Sequence, residues 1–466
     1  MHRGETMRKY IGDRAFYKRV LALMIPIMVQ NGITNFVSML DNIMVGRLGT
    51  AQMSGVAVAN QLVMVFNICI FGAVSGAGIF GAQFFGKGDN ENVRNTFRFK
   101  LVFCTALSVI GITVLLIFGK NLSALYLKGE GSPETAAQTL KAATDYIKVI
   151  IIGFIPHAIT QSYASTLRET DKAITPMVAG LIAVCVNLTF NYLLIFGKFG
   201  FPYMGVKGAA IATVMSRFVE VMFLIITTYK KRSENPFIIG AFKTFAVPAA
   251  LIFAIIKKGL PLMLNETLWA VGNALLNQSY SLKGLDVVGA NNICHTFFLI
   301  FSVSFMAIGS CVAIIAGQQL GAGEHEKARD SVRKLIFFSF ASTIVFAVMF
   351  ALCADFIPYI YNTTDSVRLM ARNLMLLTAL FLPFDAVAHS CYFTMRSGGQ
   401  VWITMAFDGG SLCLISYPLA FVLARFSPLS IYGVFTACQC VSVLKAAVGC
   451  LLVRKGVWVR TLTIKD

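Results

Sequence analysis

The sequence predicts an all-α polytopic membrane protein, with twelve transmembrane helices in two parallel six-helix lobes. Three observations predict it: the composition, the spacing of the charges, and a repeat at half the length. Of 466 residues, 57% are hydrophobic and 13% charged, with a mean hydropathy of +0.72. Soluble domains average roughly 45–50% and about 25%. A bilayer-spanning helix needs about 20 mostly apolar residues. No charge falls between Arg47 and Lys87, Lys100 and Lys120, Lys148 and Arg168, Lys172 and Lys198, or Asp286 and Glu324.

Twelve spans follow from these gaps, near residues 20–46, 53–84, 98–119, 144–166, 174–197, 207–229, 258–281, 287–319, 334–356, 369–394, 401–424 and 430–453. The net charge of +18 fits their topology. With the N-terminus in the cytoplasm, the inside segments carry 27 Lys and Arg and the outside loops 10. That asymmetry is the positive-inside rule, so the basic balance requires no nucleic-acid partner. An even number of spans returns both termini to the cytoplasm. The N-terminal stretch is polar and leads into a full-length apolar run without a small-residue cleavage pattern, which predicts a retained first helix. The eleven cysteines include no CxxC pair and read as small apolar residues. The five histidines show no metal-ligand spacing.

The repeat places "SGAGIFGAQFFGKGDNENVRNTFRFK" over "GSCVAIIAGQQLGAGEHEKARDSVRKL". An offset of 235 matches Gln83 with Gln318, Gly86 with Gly321, Gly88 with Gly323 and Arg94 with Arg329. Later the offset falls to about 228, where Arg168 meets Arg396. Six spans per half is even, so the halves run parallel, related by a pseudo-twofold axis along the membrane normal. The expected organisation is residues 1–229 as one lobe and 258–466 as the other. Residues 230–257 join them as a cytoplasmic linker carrying an amphipathic interfacial helix. The glycines of the repeated segment sit among apolar residues, which favours close helix packing over phosphate binding.

An ionisable group within a span costs roughly 2.5–3.5 kcal/mol on insertion scales and is a functional candidate by default. Four spans hold one acid each with no base beside it in sequence: Asp41, Glu266, Asp385 and Asp408. At about 1.5 Å of rise per residue, Asp41 lies at the same level as Asn187, Asn191 and Thr213, counted from Arg47, Lys198 and Lys207. Asn187 and Asn191, at i,i+4, share a helix face. A carboxylate with amide and hydroxyl oxygens suits a proton or a hard cation such as sodium. Glu266, Asp385 and Asp408 fall nearer the midplane in the second lobe. Their readings as a solvated helix end (Asp41), inter-helix hydrogen bonds (the asparagines) or a helix break before Gly409 and Gly410 (Asp408) stay open. Arg217 and Glu220, at i,i+3, are expected to pair. Pro26 and Pro261 occupy equivalent points in spans one and seven and mark hinges, since proline removes a helix hydrogen bond.

These residues carry a resemblance. The segments "IPIMVQNGITNFVSMLDNIMVGRLG", "GAQFFGKGD" with "AGQQLGAGE", "VNLTFNYLLIFGKFGFPYMGVKGAAIAT", "LPLMLNETLWAV" and "PFDAVAHSCYFTMRSGGQ" resemble the multidrug and toxic compound extrusion (MATE) family over nearly the whole chain. The resemblance implies two six-helix lobes around a V-shaped central cleft, and export of small organic cations or amphipathic drugs in exchange for protons or sodium. It implies a first-lobe cation site at Asp41 with Asn187, Asn191 and Thr213, and a second-lobe cation or substrate site at Glu266 and Asp385. The family's span-five aspartate is Asn191 here, and its last-span acid has no match; Lys445 is the charged residue there. Sodium is placed at Asp41 or at Glu266 and Asp385. No other cofactor or metal is expected, nor an enzyme activity, and the chain is expected as a monomer in the bacterial cytoplasmic membrane. The alternatives are a flippase for lipid-linked precursors, which calls for basic residues in the cleft, and a polytopic membrane enzyme, which calls for a surface cluster of His and Asp. A channel is disfavoured by the two-lobe repeat.

Overall fold

The computed structural model describes residues 10–127, 132–361 and 363–463; the N-terminal arm up to residue 9, with His2, lies outside them. Twelve long helices are present: α1 (Arg14–Gly46), α2 (Thr50–Lys87), α3 (Asn90–Tyr126), α4 (Pro133–Glu169), α5 (Ile174–Phe196), α6 (Gly205–Lys230), α7 (Ala249–Ser281), α8 (Leu285–Gly321), α9 (His325–Cys353), α10 (Asp365–Ser397), α11 (Val401–Phe426) and α12 (Ile431–Lys455). Among the described residues, eleven are long and apolar enough to cross a membrane. The other, α7, has the length but spends it on Asn265, Glu266, Asn273, Asn277 and Gln278.

Local chemistry explains where the helices start and break. Ser132 caps α4, its hydroxyl accepting from the Thr135 amide at 3.3 Å, with Pro133 in the first turn. Thr364 caps α10 in the same way. These side-chain oxygens satisfy amides that a helix start leaves without partners. The 3-10 turn at Ile151–Gly153 within α4 precedes Pro156, which has no N–H for the carbonyl of Ile152. Two π turns, Ala406–Gly410 and Leu412–Ser416, interrupt α11 ahead of Pro418.

The expected interfacial helix of the linker is absent as a separate element. Residues 231–248 form turns, a 3-10 turn at Pro236–Ile238 and an extended run, and residues 249–257 are the opening turns of α7. No helix breaker lies between Ala249 and Lys258, so the apolar run simply continues into the span.

The chain divides into two compact units. One, the N-unit, comprises Val29–Gly81 and Asn90–Gly259; the other, the C-unit, comprises Met1–Met28, Ala82–Asp89 and Leu260–Asp466. This division differs from a cut between residues 229 and 258. The opening turns of α1 belong with the second half of the chain, and the opening turns of α7 with the first. Helix α1 changes unit after Met28, just beyond Pro26, and α7 changes after Gly259, just before Pro261. At 33 residues each, these helices are about 50 Å long, so one stretch can pack in each unit.

The N-unit core gathers Val56, Val63, Phe66, Ile70, Ile147, Phe154 and Val214, with Phe66 stacked on Phe154 at 3.9 Å between centroids. The C-unit core gathers Ile293, Phe350, Leu374, Met375, Val434 and Phe435. Within the C-unit the repeated segment becomes a symmetric crossing of α2 and α8. A side chain at Gly86 would overlap the Gln318 carbonyl, and one at Gly321 would overlap the Gln83 carbonyl. The following turns also match, with φ +78 at Gly88 and +76 at Gly323, a region open to glycine. Their amides close alike: Asp89 N–H donates to the Phe84 carbonyl and Glu324 N–H to the Gln319 carbonyl, both at 2.9 Å.

The chain end clasps this crossing. Gln83 Nε2 donates to the carbonyls of Ser397 (3.0 Å) and Arg460 (3.2 Å), and its Oε1 accepts from the Leu462 amide (2.7 Å). Thr461 Oγ1 donates to the Leu320 carbonyl at 2.9 Å, and Trp458 is fully buried.

Candidate functional site

Two polar clusters lie among the spanning helices, one in each unit. In the N-unit, α1, α5 and α6 supply Asp41, Asn187, Asn191 and Thr213. The i,i+4 spacing puts both asparagines on one side of α5, and both are buried. Asn191 Nδ2 donates to Asp41 Oδ1 at 2.5 Å and to Asn187 Oδ1 at 3.1 Å. Asn187 Nδ2 donates to Thr213 Oγ1 at 3.3 Å, and the Thr213 hydroxyl donates to the Ala209 carbonyl at 3.1 Å. The four residues predicted to share a level therefore form one hydrogen-bonded chain across three helices. Among the described residues, no Lys or Arg stands within ion-pair distance of Asp41. Asn191 Oδ1 is buried and without a hydrogen-bond partner. Tyr146 of α4, also buried, reaches the Thr213 hydroxyl. Sequence reasoning missed it, because a tyrosine in an apolar run gives no signal of its own.

The C-unit cluster differs from expectation. Asp408 sits in the first π turn of α11, and Lys445 Nζ of α12 donates to its Oδ1 at 3.1 Å. Asn265 Nδ2 donates to Asp408 Oδ2 at 3.2 Å and to the Tyr392 hydroxyl at 3.4 Å, while Asn265 Oδ1 accepts from the Gly409 amide at 2.9 Å. Glu266 faces Asp408 and Arg396, and Asp385 faces Ser442 and Lys445. Each acid stands alone in its own span, but Asp408 finds a base on another helix. The base is invisible in sequence because it comes from another helix, 37 residues beyond Asp408. Asn265, fully buried, is a further residue that sequence reasoning missed; the signal was its place beside Glu266.

The expected Arg217–Glu220 pair does not form an ion pair among the described residues. Arg217 Nη1 instead donates to the Gly153 carbonyl at 3.3 Å, in the 3-10 turn of α4. Among the described residues no disulfide joins the cysteines; Cys104, Cys294, Cys311, Cys391 and Cys438 are buried, whereas Cys185 and Cys440 are exposed.

Among the described residues, twelve long helices and a polar cluster in each unit define a polytopic membrane protein. The MatE family model matches residues 26–193 and again 261–422, once in each half, and the chain belongs to that family. It is a multi-pass plasma-membrane protein. The chain is similar to the probable multidrug resistance protein NorM of Thermotoga maritima, 24% identical over 95% of this chain and 93% of the relative. It is also similar to the multidrug resistance protein MdtK of Yersinia enterocolitica, 27% identical over 82% and 81%. Among solved structures, the Vibrio cholerae MATE transporter VcmN matches with a TM-score of 0.85 at 16% identity, covering 95% of this chain and 97% of that one.

Proposed function

We propose that this protein is a secondary-active antiporter that exports cationic or amphipathic organic compounds in exchange for protons or sodium ions, by alternating access. The relatives named as multidrug resistance proteins support the cargo class. The observation that carries the coupling is the Asp41 cluster, a carboxylate held within the spanning helices by neutral partners alone. With no base beside it, such a carboxylate takes its counter-charge from a proton or a sodium ion. The unpartnered Asn191 Oδ1 fits either. A half-turn of the amide presents that oxygen to a protonated Asp41 or to a bound cation, and the donor now facing Asp41 turns away.

Binding changes the charge where α1 meets α5 and α6. Helix α1 lacks a hydrogen bond at Pro26, close to where it passes from one unit to the other. The ion then biases two packings of α1, with Pro26 and Pro261 as hinges, and cargo moves as the packings exchange. Glu266, Asp385 and Asp408 serve the cation or substrate side in the C-unit. Both termini and residues 230–257 are placed in the cytoplasm, which labelling of Ser233→Cys checks: reaction from outside intact cells refutes it. The protein acts as a monomer.

The deciding experiment uses proteoliposomes loaded with a cationic dye under an imposed proton or sodium gradient. Asp41→Asn preserves size and removes the titration. It is expected to insert, to bind dye and to lose gradient-driven efflux by tenfold or more, on the order of 1.4 kcal/mol of coupling. Wild-type efflux in Asp41→Asn overturns the assignment. Flipping of an anionic lipid-linked precursor, with no dye bound or exported, favours the flippase instead.

A further inference from the structure

Away from both polar clusters, the C-unit contains a cavity of about 750 Å³ where the openings of α1 and α9 meet the end of α8. Three helices contribute faces to it. Lys327, Asp330, Ser331 and Lys334 lie on one side of α9, at i, i+3, i+4 and i+7; Ile315 and Gln319 come from α8; Ala15, Phe16 and Arg19 come from α1. Ile11, Gly12 and Asp13 complete the wall.

The lining is built to hold something both charged and hydrogen-bonding. It carries three cationic side chains, Lys327, Lys334 and Arg19, against Asp13 and Asp330, and Arg19 Nη2 also donates to Gln318 Oε1. Asp13 is engaged in capping α1, accepting from the Phe16 amide at 2.7 Å, and Asp330 accepts from Lys334. Lys334 also lies over the Phe16 ring at 5.9 Å, and Lys327 pairs with Glu324 on an exposed edge. Gln319 is 6% exposed; its Nε2 donates to Ser331 Oγ at 2.9 Å, which fixes the amide, and its Oε1 is buried with no partner. Leaving a buried acceptor without a donor is unfavourable, so a donor from a ligand is favoured there. Ile11, Phe16 and Ile315 supply an apolar wall beside the charges.

We propose that this cavity binds the headgroup of an anionic phospholipid. Lys327, Lys334 and Arg19 face the phosphodiester, a headgroup hydroxyl donates to Gln319 Oε1, and the glycerol and first acyl carbons lie against Ile11, Phe16 and Ile315. On the topology proposed above the cavity opens at the cytoplasmic surface, where basic pockets between transmembrane helices suit such headgroups. A headgroup seated there ties the opening turns of α1 to α8 and α9, in the stretch that precedes Pro26, and so links membrane composition to the bending of α1.

The test uses the full-length chain in detergent, titrated with dioleoylphosphatidylglycerol, with dioleoylphosphatidylcholine, and with soluble glycerol phosphate, and read by native mass spectrometry. One phosphatidylglycerol is expected to bind saturably and in preference to phosphatidylcholine. Lys327→Gln with Lys334→Gln, and separately Gln319→Met, are each expected to weaken it about tenfold, the scale of a lost charge-assisted or buried hydrogen bond. A second measurement leaves every polar group in place. Ala15→Cys is labelled with a maleimide and quantified on its own peptide, and phosphatidylglycerol is expected to protect it. Equal binding of both lipids, unchanged affinity in the folded variants, or unprotected labelling at position 15 overturns the site. Binding of glycerol phosphate without phosphatidylglycerol overturns the lipid as its occupant.

Discussion

In the N-unit, Asp41 rests on an amide, a second amide and a hydroxyl, with no base at ion-pair distance among the described residues; in the C-unit, Asp408 rests on Lys445 and Asn265. A carboxylate with neutral partners remains responsive to a proton or a cation. A carboxylate with an ammonium at 3.1 Å already has its counter-charge. The two halves share their helix order, yet Asp408 has a lysine beside it and Asp41, among the described residues, does not.

At the repeat positions of Lys100 and Glu169 the contrast reverses. Lys100 is fully buried and donates to both oxygens of Glu169 at 2.7 Å, and to Ser165 and Thr166. The offsets of 235 and 228 place Leu335 and Ser397 at the matching points of the second half, and both are buried. Similar packing tolerates either an ion pair or an apolar residue with a hydroxyl.

The largest effect is expected there. Lys100→Met leaves Glu169 buried without its ammonium and is expected to cost about 3–5 kcal/mol. Lys100→Leu with Glu169→Ser transplants the second half's solution and is expected to recover most of that loss. Unfolding in detergent micelles reads both. A double variant as unstable as the single shows that the halves are not interchangeable at this point. Next comes Lys445→Met, which strips Asp408 of its counter-charge at roughly 2.5–3.5 kcal/mol, the insertion cost of an unpaired acid. The matched change Asp408→Asn in that background is expected to restore stability. Asp41→Asn, by contrast, is expected to leave stability near wild type, because Asp41 has no ionic partner to strand.

The crossing gives a smaller, symmetric pair. Gly86→Ala and Gly321→Ala each drive a methyl into the facing carbonyl and are expected to cost similar amounts, about 1–3 kcal/mol. Gly88→Ala and Gly323→Ala meet open space and are expected to cost only the left-handed backbone, about 1–2 kcal/mol. Unequal losses within either pair break the twofold reading of this contact. Smallest is the surface pair outside the spans. Lys172 Nζ donates to Glu234 Oε2 at 3.0 Å and holds the Glu234 carboxyl below its ordinary value. A carboxyl lowered on folding adds stability above its unfolded pKa and loses it as pH falls through the folded one. The difference between wild type and Lys172→Ala is therefore expected to be slight near neutrality and to vanish on acidification below about pH 4. Melting curves across that range check it.

Much of this was legible in one dimension. The charge-free gaps set the number and length of the helices, because an apolar run of membrane thickness has few other stable forms. The 235-residue offset exposed the repeat, and the glycines within it foretold close packing. Counting residues from flanking charges placed Asp41 level with Asn187, Asn191 and Thr213, since helix rise is fixed. Tertiary structure alone decided what depends on how helices rotate and cross. It gave Asp408 its lysine from α12 and set Glu266 beside Arg396. It assigned the openings of α1 and α7 to the units of the opposite halves, and folded residues 249–257 into α7. Hydropathy and periodicity are properties of a segment and its neighbours in sequence. Which buried charge meets which base, and which end of a long helix packs where, is fixed by contacts between segments, and no local pattern records those.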